Sequence, residues 1–176
     1  MSRSALMTVL LVAISACPAF AQQSTRSDFQ NYCQEIQGRW VGDVTWVADF
    51  PGLGNKGDKV TAYWEGRVSE DGNVLIGKFF GGNGAESSLA YFDAAAKQIK
   101  ATAVDSGGTV TQIVIYKKDG KWTQKGQASL PDGTMIEFTS VATISEDGKT
   151  WVWEGSGKVG DKPTTEQHDV WRRTNR

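Results

Sequence analysis

TQIVIYKKDGKWTQKGQAS, residues 111–129, decides the fold. Two segments rich in Ile, Val, Tyr, Trp and Thr flank the pair Asp119-Gly120. Those residue types favour strands. Glycine supplies the positive φ that a tight hairpin needs, and Asp tolerates the neighbouring position. So short a connection joins only antiparallel neighbours, because a parallel crossover takes about a dozen residues or more.

The same punctuation recurs at Asp71-Gly72, Asp132-Gly133 and Asp147-Gly148, each between two β-type runs. Beginning with 39–50, such runs fall at about 59–69, 73–81, 86–93, 97–104, 109–117, 121–129, 134–144, 149–159 and 163–173. None of the intervening stretches has the length and period of a substantial helix. The fold class is therefore all-β, an up-and-down antiparallel barrel or strongly curved meander of about ten strands. Closure is the simplest way for such a meander to dispose of its edges.

One short helix precedes the strands. Phe29, Tyr32, Cys33 and Ile36 occupy one helical face. Ser27 with Gln30 reads as a capping box, and Gly38 stands where a helix commonly stops. This helix is expected to be a lid or plug, with Cys33 a buried, inert thiol.

Residues 1–21 read as a signal peptide. Arg3 gives a basic start, Ala5–Ile14 is uncharged and apolar, and Ala19-Phe20-Ala21 fits a cleavage site. A helix that spans a bilayer needs about 20 apolar residues, so no transmembrane span is expected. Ile14-Ser15-Ala16-Cys17 also resembles a lipobox, which leaves a lipid anchor at Cys17 as the alternative. Residues 22–176 then form one domain, periplasmic or secreted, or held at the outer membrane as a lipoprotein. With 19 basic and 20 acidic residues and no basic stripe, the chain does not suit nucleic acid.

Gly38-Arg39-Trp40 opens the first strand just after the helix, and Trp171-Arg172-Arg173 closes the last. Together these motifs resemble the calycin superfamily, the lipocalins and their relatives, in which a Gly-x-Trp opens the barrel. The strand count is nearer the fatty-acid-binding and nitrobindin-like branches, and the whole domain resembles exported lipocalin-like bacterial families of uncharacterised function. The resemblance implies a structural plug of Gly38, Trp40 and Arg172, with the cation packed across the indole. It also implies a non-enzymatic barrel that binds a small apolar or amphipathic molecule.

The chain holds seven tryptophans. Aromatic residues in a barrel either fill its core or line a cavity for a flat, greasy ligand. Trp40, Trp46, Trp64, Tyr91 and Trp153 are the candidate lining residues. His168 is the only histidine. It is either a surface residue or, by resemblance to nitrobindin-like proteins, an axial haem ligand; without it no cofactor is implied. Glu65 and Glu154 read as outward charges. One histidine and no Gly-x-Ser-x-Gly argue against a triad hydrolase, and one cysteine in the domain cannot build a common zinc site. An envelope structural or interaction protein with no pocket is the third reading.

Overall fold

The computed structural model describes residues 22–174. The signal peptide and Cys17 lie outside the described residues. The elements are a helix, α1 (Arg26–Ile36), and strands β1 (Gly38–Thr45), β2 (Lys59–Ser69), β3 (Val74–Gly81), β4 (Gly84–Asp93), β5 (Gln98–Asp105), β6 (Val110–Lys118), β7 (Lys121–Ser129), β8 (Met135–Ile144), β9 (Thr150–Val159), β10 (Lys162–Pro163) and β11 (Gln167–Arg173). Each strand pairs antiparallel with its neighbour, and β11 joins β9 to β1. The result is a closed ten-stranded barrel with the two-residue β10 flanking β9. Closure leaves no long edge open to pairing with another chain. No helix among the described residues is long and apolar enough to cross a membrane.

The hairpin chemistry accounts for the meander. Lys118 pairs with Lys121, so Asp119-Gly120 is a two-residue turn, and both residues have positive φ (49° and 77°). That is the turn whose twist matches the flanking strands. Asp132 and Asp147 act differently. Each accepts a hydrogen bond from the backbone two residues on, Thr134 N at 2.8 Å and Lys149 N at 3.0 Å. Only the following glycine takes positive φ there.

Most observed strands coincide with the predicted runs to within a residue or two, with two exceptions. The predicted run 39–50 ends at Thr45, where the chain leaves the sheet for a long loop, 46–58. The run 163–173 breaks after Pro163, which has no N–H to continue the ladder. Thr164 fills the gap, donating its N–H to Gly157 O at 2.8 Å and accepting from Gly157 N at 3.0 Å through its hydroxyl.

The helix begins earlier than the Ser27–Gln30 box predicts. Thr25 is the N-cap, and its hydroxyl accepts from Asp28 N while Asp28 accepts from Thr25 N. Ser24 N bonds Lys97 O at 2.8 Å and fixes where the chain enters the helix. The apolar face is as predicted: Phe29, Tyr32, Cys33 and Ile36 are all buried. They pack on Trp40, Leu75, Ile99, Ile115 and Trp122 and close one end of the barrel. Burial pushes the Cys33 thiol up to about 11, consistent with an inert core residue.

A cation does stack on Trp40, but it is Arg173, with its guanidinium 4.1 Å from the ring centroid. Arg172 was the expected partner, and register explains the difference. Trp40 is the cross-strand partner of Arg173, so both face inward, whereas Arg172 faces solvent and pairs with Asp43 at 3.1 Å. Arg173 also donates to the carbonyls of Glu35, Gln37 and Gly148. It thereby satisfies the carbonyls at the helix's C-terminal end. Gly38, at φ 109°, leaves the room this needs: a Cβ there would lie 2.7 Å from Arg173 Nη1.

Arg173→Ala is expected to destabilise the fold by about 2 kcal/mol or more, and Arg172→Ala by under about 0.5 kcal/mol. Urea denaturation of both variants checks the assignment, and equal effects would contradict it.

Candidate functional site

Above the plugged end the barrel is not filled. A cavity of about 260 Å³ lies between the sheet walls and the loop 46–58. Its aromatic wall centres on Trp151, whose ring centroid lies 5.4–5.9 Å from those of Trp40, Trp64, Trp153 and Trp171. Phe79 extends the wall to Trp171 and Trp46. A glycine on a neighbouring strand position makes room for one of these rings. A Cβ on Gly66 would fall 2.0 Å from Trp64 Cη2, so that indole can lie flat across the sheet.

The mouth is covered by the long loop. Trp46 N bonds Asp58 O and Gly57 N bonds Trp46 O, closing the loop's base. On one side Leu53 is buried, and its carbonyl accepts from Asn83 N at 2.8 Å. On the other, Ala48 and Phe50 pack with Ala128, Leu130, Ile136 and Val159. One segment thus reaches opposite sides of the mouth.

Three carboxyl groups line the same cavity: Glu86 on β4, Asp105 on β5 and Asp169 on β11. Glu86 and Asp105 are cross-strand partners. Asp105 Oδ1 accepts from Gly107 N and Thr109 N, both at 2.9 Å. Burial, with a contribution from the Asp105 charge, pushes Glu86 up to about 7, and no hydrogen bond opposes the shift. Asp169 is also raised by burial, though hydrogen bonds from Gln167 Nε2 and Thr45 N oppose it. No Lys, Arg or His among the described residues lines the cavity. Among the described residues no three His, Cys, Asp or Glu side chains converge as metal ligands would.

The structure divides the predicted site residues. Trp46, Trp64 and Trp153 line the cavity. Trp40 does not: it is 1 % exposed, lies under Arg173, and donates Nε1–H to Ile36 O. Tyr91 is a second correction. It is 40 % exposed on the outer face, because the inward phase of β4 belongs to Glu86, Ser88 and Ala90. His168 also faces outward, 3.3 Å from Glu154, and presents no imidazole to the cavity. Glu65, paired with Arg39, and Glu154 are the expected outward charges.

Sequence reasoning missed Glu86, Asp105 and Asp169. The small residues Ala101 and Ala103 on β5 were the available signal. They mark a face that bulky side chains avoid, and Asp105 and its partner Glu86 lie on it. The chain matches no protein-family model and no curated protein.

An acid whose folded pKa stands above its unfolded value favours the fold at low pH and loses that contribution as pH rises through the folded value. Glu86 runs from 4.5 to about 7 in this sense. Glu86→Gln should therefore be near-neutral at about pH 4.5 and stabilising by roughly 1–3 kcal/mol at about pH 8. Denaturation midpoints across that range test this, and a pH-independent difference would contradict it.

Proposed function

We propose that this chain is an exported, non-enzymatic binding protein that holds a small apolar or amphipathic molecule in its barrel cavity. The observation that carries the reading is the aromatic-walled space of about 260 Å³ beneath a loop that spans the mouth. Apolar walls with a few placed polar groups are the usual make-up of a small-molecule site. Export rests on the sequence of residues 1–21, with either ordinary cleavage or a lipid anchor at Cys17. The calycin-like reading draws its support from barrel closure, the single helix and the Gly38–Trp40 opening.

The other readings draw unequal support. A haem site using His168 has the histidine on the outer surface, paired to Glu154. An envelope interaction protein has one observation in its favour, the exposed apolar side chains of Tyr63 and its cross-strand partner Phe80 and of Leu89 and Tyr91 on β4. The cavity favours ligand binding over a barrel with no pocket.

The neutral probe N-phenyl-1-naphthylamine is expected to bind with enhanced fluorescence and quenching of tryptophan emission. Ala103→Phe, which places a ring in the cavity from β5, should weaken that binding by about tenfold or more while the β spectrum is retained. A probe that fails to bind wild-type protein, or binds both forms equally, would overturn the reading.

A further inference from the structure

The polar groups of the cavity are unbalanced in charge. Glu86, Asp105 and Asp169 reach it, and among the described residues no basic side chain does. A buried carboxylate is costly unless it is paired or protonated. Asp169 is held by two hydrogen bonds and Asp105 by two backbone N–H groups on one oxygen. Glu86 has neither, although it stands opposite Asp105 on the neighbouring strand.

An independent set of groups faces the same space without a partner. The Thr109 hydroxyl and the Gln124 amide oxygen belong to cavity-lining side chains only 2 % exposed and have no hydrogen-bond partner among the described residues, and the Nε1–H groups of the lining residues Trp46, Trp151, Trp153 and Trp171 are likewise unpartnered. Thr109 adjoins Asp105, to which its own N–H is bonded. The carboxylate pair, the hydroxyl and the amide oxygen can accept from N–H donors, of which a protonated amine carries up to three, while the free indole N–H groups suit an acceptor elsewhere on the same ligand. The indoles that form the rest of the wall favour the same charge, since the face of a tryptophan attracts cations. The aromatic wall and the absence of three converging ligands suit an organic cation better than a metal ion.

We infer that the cavity selects a small organic ammonium, with the protonated amine seated at Glu86 and Asp105 and the apolar body against the tryptophan wall. The inference rests on the proposed ligand-binding reading and adds the ligand's charge. The titratable groups lining the cavity are Glu86, Asp105, Asp169 and Tyr32, and β3 presents only Phe79 to Glu86. Binding of an amine keeps Glu86 ionised, so its advantage over a neutral ligand grows as pH rises through 7.

The test is calorimetric titration of the whole domain with three matched probes: 1-naphthylmethylamine, 1-naphthalenemethanol and 1-naphthoate. At about pH 8 the amine should bind about tenfold or more tightly than the alcohol, and the naphthoate most weakly. That preference should shrink at about pH 5.5. In Glu86→Gln the ratio of amine to alcohol affinity should fall towards unity. Alcohol and amine binding equally to wild-type protein, or a preference that survives Glu86→Gln, would overturn the inference and leave the cavity reading standing. Failure of all three probes to bind would overturn both, and the wild-type pH comparison decides the matter should the variant fail to fold.

Discussion

A sheet of ten strands closes only where its last strand returns to its first, and in this chain that seam is β1 against β11. Four parts meet at Arg173 there. Its guanidinium covers the indole of Trp40 on β1, takes up the helix-end carbonyls of Glu35 and Gln37, and reaches Gly148 in the turn before β9. First strand, last strand, helix and turn are thus tied by one side chain whose charge is delocalised over a plane, which suits both stacking and several hydrogen bonds at once. Of the two arginines the cation must be Arg173, because Arg173 and not Arg172 shares the inward phase of Trp40 across the ladder.

The seam also decides where the empty space lies. With Phe29, Tyr32, Cys33 and Ile36 seated on Trp40, Leu75, Ile99, Ile115 and Trp122, the helix end is solid. Glu35 strengthens this end by accepting from Trp122 Nε1 at 2.7 Å, with Lys117 beside both groups. The rest of the interior is walled by large rings in edge-to-face and tilted pairs. Small residues on β5 and glycines on β2 and β3 face them. The volume left over gathers at the mouth, where a loop rather than a helix covers it.

Strand positions, the meander and the helix face were legible because each is written locally, in β-type runs, Asp-Gly turns and the spacing from Phe29 to Ile36. The two faces of a strand were less legible. On β4 the apolar residues Leu89 and Tyr91 lie outside while Glu86 and Ser88 lie inside. Polarity alone assigns that strand the wrong way round, and only its pairing with Leu75 and Ala101 fixes the phase. A one-residue slip exchanges the two faces. The same slip separates Arg172 from Arg173. Trp40 and Trp64 are cross-strand partners, yet one serves the plug and the other the cavity wall, a difference that depends on depth along the barrel.

The acidic groups near the mouth run against the economy of the fold. Replacing Glu86 with a neutral residue would remove a partly buried charge and its repulsion from Asp105, so stability alone does not account for it. Asp105 is different, since its bonds to Gly107 and Thr109 shape the turn between β5 and β6. Glu86 has no such structural task among the described residues. Sites where a sequence departs from the choice that would best stabilise its fold are commonly the sites where it acts. The tension between Glu86 and Asp105 is electrostatic, it is greatest when Glu86 is ionised, and a cation is the simplest species that relieves it.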